Sequence, residues 1–351
     1  MNTNIKVGIT QGDMNGIGYE IILKTLVDSR LSEICIPIVY GSSKAIAYHR
    51  KALNFPDINI TRIETPQDAT QHKNYIINCL DDSIRIELGK STPEAGEASF
   101  KVLKRAADDL KRNSIDVLVT CPINKHNMQS AQFSFPGHTE YLRSVYGKNE
   151  VLMLMVNNLM RIGVVAGHVP LAKIPSMITV ENIMNKLKLL HDSLICDFGI
   201  RKPKIAVLGL NPHAGDNGVL GNEEKDYIIP AIEKAQANNM LVFGPYPADG
   251  FFAAVSYKKF DGVLAMYHDQ GLAPFKALDT ASGVNFTAGL PGVRTSPAHG
   301  TAYDIAGLNQ AMPDSLRQAI YLGIDIFRNR EMYREITANP LKSNMPGTER
   351  E

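Results

Sequence analysis

Apolar and polar positions along the chain follow two rhythms. Short apolar runs bounded by turn residues recur at 6–10, 36–40, 115–120, 151–156, 161–166, 204–210 and 263–266. Runs of this length read as buried strands. Two more, at 58–60 and 75–80, read as strands on the sheet's margin. Between them the spacing becomes helical. Ile21, Ile22, Thr25 and Leu26 share a face, as do Ala98, Val102, Leu103 and Ala106 within 94–112, and Ile183, Leu187, Leu190 and Leu194 within 179–198. Further helices are predicted near 44–53, 223–238 and 316–328. Strands alternating with helices imply βαβ units and an α/β fold with a mainly parallel sheet. Asn157-Asn158 predicts a hairpin-like turn between two of the strands. The tail at 338–351 is predicted to fray. No repeat or linker divides the chain, so a two-lobed arrangement needs the backbone to cross between lobes without a flexible hinge.

Chemistry-bearing residues gather where predicted strands end, which is where open α/β sheets hold ligands. His168, His213 and His268 each follow such an end, in GHVP, NPHAG and YHDQG. Three imidazoles at one end of a sheet would hold a divalent metal with positions left open for substrate, zinc before magnesium. The alternative for each is a hydrogen-bonded loop residue. His138-Thr139 opens a predicted helix, where exposed donors favour an anion or where Thr139 merely caps. Lys276, Asn285 and Arg294 suit a small acid or phosphate. A metal that binds an alcohol beside such a clamp fits oxidation of a hydroxy acid. His49, His72 and His191 read as solvated surface histidines. The loop 11–18 has glycines at 12, 16 and 18, which is not the GxGxxG dinucleotide pattern. It reads as a tight turn or as an anion cradle. Asp249 sits at the tip of a rigid loop, 245–250. No GxSxG elbow or Walker loop is present.

Composition narrows the classes. At 351 residues the chain is long enough for two ordinary domains or one large one. Apolar residues are 44% and charged residues 21%, with 37 basic against 36 acidic. That balance supplies no broad field for nucleic acid or an anionic membrane. The four cysteines are scattered with no CxxC pair, which fits buried thiols in a reducing compartment. With no signal segment and no apolar stretch near the roughly 20 residues of a membrane span, a soluble cytoplasmic protein is expected.

From Lys6 to about Arg330 the chain resembles the 4-hydroxythreonine-4-phosphate dehydrogenase family of pyridoxal phosphate synthesis. The resemblance rests on GDMNGIG, TCPINK, PGHTEYL, GHVPL, LNPHAG, AMYHDQG, GVNFTAGLPGVRTS and HGTAYDIAG. The last is also similar to the nucleotide-binding loop of isocitrate and isopropylmalate dehydrogenases, which bind NAD(P) without the Rossmann glycines. The resemblance implies their two-lobed α/β/α fold with a cleft between lobes. Lobe one would be 1–130 plus 240–335, and lobe two 131–239. It implies a homodimer with a shared site, and His168, His213 and His268 as ligands of zinc, magnesium or cobalt. His138, Thr139, Lys276, Asn285 and Arg294 would contact substrate. Asp249, Asp269 and Lys125 would be polar or proton-transfer groups near it. His299, Gly300, Thr301, Ala302 and Asp304 would lie against the cofactor.

The implied reaction is NAD-dependent oxidation of 4-phosphohydroxy-L-threonine at C3, followed by loss of CO2. Asn309, Gln310 and Asp314 after the cofactor loop favour NAD over NADP, since a 2′-phosphate wants Arg or Lys. The alternatives are a dehydrogenase of 4-phospho-D-threonate or 4-phospho-D-erythronate, and a non-catalytic ligand-binding relative. Gln11, Met14-Asn15 and Cys121 depart from the family's usual residues.

Overall fold

The computed structural model describes residues 4–81, 83–129, 133–148, 150–279 and 282–339. The predicted tail thus lies, beyond residue 339, outside the described residues. In chain order the strands are β1 (Lys6–Thr10), β2 (Ile36–Gly41), β3 (Ile60–Ile63), β4 (Asn74–Asn78), β5 (Val117–Thr120) and β6 (Leu152–Val156). They continue with β7 (Arg161–Ala166), β8 (Lys204–Leu208), β9 (Leu241–Tyr246), β10 (Gly262–Tyr267), β11 (Val284–Ala288) and β12 (Val293–Pro297). All join one sheet in the order β3-β4-β2-β1-β5-β12-β11-β6-β7-β10-β8-β9.

The sheet is parallel in two blocks that run in opposite directions. From β3 to β12 neighbouring strands are parallel, and so are those from β7 to β9. Between the blocks, β12–β11, β11–β6 and β6–β7 are all antiparallel. β9 and β10 pair into the second block, beside β8 and β7. The hairpin signal at Asn157 is real: its side-chain oxygen accepts from the backbone N–H groups of Leu159 and Met160, each at 2.9 Å.

Helices cover the blocks. Pro93–Lys111 packs on β1, β2 and β5, and His268–Leu278 on β7 and β10. The first starts cleanly because the Thr92 hydroxyl accepts from Ala95 N–H and Pro93 occupies the first turn. Val180–Cys196 buries its predicted stripe, with Ile183, Leu187, Leu190 and Leu194 all 0% exposed. Each such side chain stabilises the fold by about 1.5–3 kcal/mol. The last helix, Asp314–Thr337, covers the β12 face that carries Thr295, whose hydroxyl donates to Ala319 O at 2.7 Å. Phe198, just past Val180–Cys196, meets Phe286 on the same face. The opposite face of these central strands remains open.

Several predicted elements shift. The last helix runs beyond 328 because its final turns are solvated, so no apolar stripe marks them. The segment 223–238 opens with a π-helical turn, Glu224–Ile228, before the α-helix Ile229–Ala237. β9 has no counterpart among the predicted strands, and the predicted loop 245–250 instead spans its end and the start of the helix Ala248–Ala253. The helix His268–Leu278 gave no helical signal, since Gly271 and Pro274 interrupt it. His49 is not a surface residue. It is 1% exposed, its Nε2 bonds Met14 O at 2.8 Å, and it stands one helical turn after buried Ala45. Among the described residues no helix is long and apolar enough to cross a membrane.

Candidate active site

The open face of the central strands floors a cleft of about 290 Å³, formed by Met153 and Met155 of β6, Asn285 of β11, and Arg294 and Ser296 of β12. Register explains the set. Asn285 stands opposite both Ser296 and Met155, and opposed residues point to one side of a sheet. Met153 and Arg294 follow by the period of two. The walls come from both blocks: Thr120 at the end of β5 with Pro122, Ile123 and Lys125 after it, and His168 and His268 after β7 and β10. The site therefore lies across the sheet face where strand direction reverses, rather than beyond one row of carboxyl ends.

Arg294 is 2% exposed. Its Nε and Nη2 donate to Thr120 Oγ1 at 3.0 and 2.6 Å, and Nη1 donates to Thr287 Oγ1 at 3.1 Å. Hydroxyls rather than a carboxylate take its protons. Burial, partly offset by the charge of Glu140, pulls its pKa down to about 10, which leaves it charged at neutral pH. Lys125 and Lys276 line the same cleft, with Asn285 and the helix opening His138-Thr139. Gly137 is the N-cap of that helix and no side chain caps it, so Thr139 is not a capping residue. Buried His138 Nε2 and Asn285 Oδ1 have no hydrogen-bond partner among the described residues. Burial first, then the charges of Arg294 and Lys125, holds the His138 pKa well below the imidazole range, so it meets a ligand as a neutral ring. The arrangement is a positive slot for a small anion.

Beside it the rings of His168 and His268 lie 5.6 Å apart. Each has a carboxylate near Nδ1: Glu140 Oε1 at 3.8 Å from His168, and Asp269 Oδ1 at 2.6 Å from His268. Burial pushes the Glu140 pKa up, but His168, its own backbone N–H and Lys125 outweigh that, and the carboxyl ends below its ordinary range. Sequence reasoning missed Glu140, although it belongs to PGHTE; only the fold shows that it meets His168. Metal-bound histidines usually carry such an acceptor on the second nitrogen.

His213 does not join the pair within one chain. It lines a separate cleft of about 550 Å³ with Asp249, Tyr267 and Gln270. Among the described residues no three His, Cys, Asp or Glu side chains form a metal-holding group. β7, β10 and β8 are neighbours, so the three histidines do follow the same end of one block. The chain after β8, however, turns left-handed from His213 (φ 53°) through Asn217 (φ 58°) and carries the imidazole elsewhere.

The segment 299–304 closes one end of the Arg294 cleft. His299 and Gly300 line it, Thr301 and Ala302 lie behind, and Asp304 is exposed. Burial, partly offset by the Gly300 carbonyl, lowers the His299 pKa. This segment is tied to the loop 11–18. Asp13 Oδ2 accepts from Tyr303 Oη at 2.7 Å and Asn127 Nδ2 at 2.8 Å, and Ile17 N donates to Thr301 O at 3.1 Å. A Cβ on Gly16 would sit 2.6 Å from Thr301 O, and one on Gly12 2.3 Å from Pro122 O. The glycines let three backbones pack together, which favours the tight-turn reading. Gln11, Met14, Asn15 and Cys121 are buried and do not line the cleft. Asn15, for example, donates to Lys90 O at 2.9 Å and accepts from Glu87 N at 2.8 Å.

The chain matches the family described as "Pyridoxal phosphate biosynthetic protein PdxA" over residues 33–323. It is 53% identical over 339 residues to the 4-hydroxythreonine-4-phosphate dehydrogenase of Bacteroides thetaiotaomicron, covering 96% of this chain and 93% of that protein. It is 38% identical over 324 residues to an Oceanobacillus iheyensis protein named, provisionally, D-threonate 4-phosphate dehydrogenase, covering 91% and 97%. The crystal structure of 4-hydroxythreonine-4-phosphate dehydrogenase from Klebsiella pneumoniae superposes with a TM-score of 0.81 at 31% identity, covering 93% of this chain and 99% of that one.

Proposed function

The chain belongs to the PdxA family, and from that premise we propose that it oxidises 4-phosphohydroxy-L-threonine at C3 with NAD as acceptor. NADP is the alternative acceptor. The observation that carries the reading is Arg294, a buried guanidinium whose donors, among the described residues, meet only hydroxyls. A phosphate entering the cleft supplies the missing anion. Lys276, Asn285, His138 and Thr139 complete its hold through charge-assisted bonds.

The residues beside this slot fit a divalent cation. Glu140 and Asp269 occupy the Nδ1 side of His168 and His268, leaving both Nε2 atoms for a ligand. Two imidazoles are one short of a three-ligand catalytic site, and the partner subunit's His213 in a homodimer is the proposed third. Zinc is the first choice, with magnesium and cobalt as alternatives. A bound cation would lower the pKa of the C3 hydroxyl and polarise the carbonyl that forms from it. Of Lys125, Asp249 and Asp269, only Lys125 lines the phosphate cleft, while Asp269 engages His268 and Asp249 shares the cleft of His213. Lys125 is therefore the group proposed to contact substrate or relay the C3 hydroxyl proton toward solvent, as hydride leaves C3 for the nicotinamide held against 299–304. The product, 2-amino-3-oxo-4-phosphooxybutanoate, is a β-keto acid. It releases CO2, with the C–C electron pair passing into an enol that reprotonates to 3-amino-2-oxopropyl phosphate. Four free cysteines are in keeping with work in a reducing cytoplasm.

The Oceanobacillus iheyensis relative supports a second reading, oxidation of 4-phospho-D-threonate or the related erythronate. Both substrates carry the phosphate and differ at the amino group. The deciding experiment compares NADH formation from 4-phosphohydroxy-L-threonine and 4-phospho-D-threonate with metal-replete protein. A kcat/KM at least tenfold higher for the first is expected. A preference for the second would overturn the substrate assignment and keep the reaction class.

A further inference from the structure

His213 is exposed, so its position depends on the backbone that carries it. That backbone is unusual. His213, Ala214, Gly215, Asp216 and Asn217 have φ of 53, 52, 80, 42 and 58°, five left-handed residues in succession, four of them not glycine. L-residues avoid this conformation, and it persists only where the surroundings over-determine it. Glu224 is buried against this turn. Its carboxylate is 2% exposed and accepts from Leu210 N at 2.7 Å, Asn211 N at 2.8 Å and Asn211 Nδ2 at 2.9 Å. Gly215 closes on it so tightly that a Cβ there would stand 2.6 Å from Glu224 Oε2. The carboxylate thus bonds the residues that lead into the turn and abuts its middle, from a π-helical turn of the kind often found at functional sites.

We infer that Glu224 is a positioning residue that fixes His213 by holding the left-handed turn 213–217. The inference rests on the proposed role of His213 as a metal ligand. It concerns neither phosphate binding nor the cofactor.

The test titrates cobalt(II) into metal-free protein by calorimetry for the wild type, Glu224→Ala, Glu224→Gln, His213→Ala and Glu224→Ala/His213→Ala. Melting temperature and binding of inorganic phosphate serve as controls. Glu224→Ala is expected to weaken cobalt binding 10–100-fold, about the loss seen when a group supporting a ligand is removed. Phosphate binding should stay within twofold. Glu224→Gln should recover most of the affinity, because an amide oxygen still accepts from Leu210 and Asn211. In the His213→Ala background, Glu224→Ala should cost nothing more, the non-additivity expected of two residues acting as one. Gly215→Ala pushes the carboxylate aside from the other direction and should reproduce the loss; it carries the test if Glu224→Ala fails to fold. Wild-type cobalt affinity in Glu224→Ala and Gly215→Ala, with loss in His213→Ala, overturns this inference alone. Additive losses in the double variant overturn it too. Undiminished affinity in His213→Ala overturns the ligand reading and this inference with it.

Discussion

A guanidinium taken out of water with no carboxylate among its hydrogen-bond partners destabilises the empty protein, and Arg294, among the described residues, is such a group. Function and stability should therefore separate there. Arg294→Met keeps the bulk, removes the unpaired charge and leaves two threonine hydroxyls free to reorient. Its unfolding free energy is expected within about 1 kcal/mol of the wild type, and kcat/KM for the phosphorylated substrate should fall on the order of 10²–10³-fold. A loss below threefold in steady-state assays would place the phosphate elsewhere. His49 makes a separate prediction, about pH. Burial, partly offset by the bond to Met14 O, lowers its pKa from 6.5 to about 4. The unfolded chain therefore binds a proton below pH 6.5 that the folded chain refuses. Stability contributed by neutral His49 is complete above pH 6.5 and is lost as pH falls toward 4, by about 3 kcal/mol. His49→Gln keeps a donor for Met14 O and cannot titrate. Its urea midpoint should fall less steeply than that of the wild type between those limits. Parallel curves would show that His49 does not set the acid limb.

At the scale of elements, what the sequence revealed follows periodicity, and what it hid follows contacts between distant segments. The stripe Ile183, Leu187, Leu190, Leu194 was legible because one face of that helix is wholly buried. The strand ends that carry His168, His213 and His268 were legible because buried strands stop at turn residues. β9 was not, since it is an edge strand with mixed exposure and lacks the alternation that marks a half-buried strand. The helix His268–Leu278 hid behind Gly271 and Pro274; packing against β7 and β10 overrides its poor propensity. Arg294, Asn285, Lys276 and His138 were named from side-chain chemistry and motif, and the cleft gathers them. Glu140 and Asp13 went unnamed because their partners, His168 and Tyr303, are set by tertiary structure, in the second case 290 positions away. The left-handed turn that withdraws His213 from the other two histidines has no local signature beyond Gly215 and Asn217.

At the scale of the whole molecule, one chain holds two incomplete halves of the proposed centre. His168 and His268 sit with the proposed phosphate slot, whereas His213 and Asp249 line their own cleft. If two copies join so that each completes the other, the defects of two dead variants should cancel. In a dimer of His168→Ala with His213→Ala, one site carries both lesions and the other carries neither. Random pairing makes about half of the dimers mixed, and each has one sound site of two, so co-expressed variants should regain about a quarter of wild-type activity. Each variant alone should remain inactive, and separately purified dimers should regain activity only as fast as they exchange subunits. Were the three histidines to converge within a single chain, no mixture would show activity, because every site would still hold a damaged ligand. Inactive mixtures, in preparations shown by mass spectrometry to contain mixed dimers, would therefore refute the shared site while leaving the anion slot of Arg294 untouched.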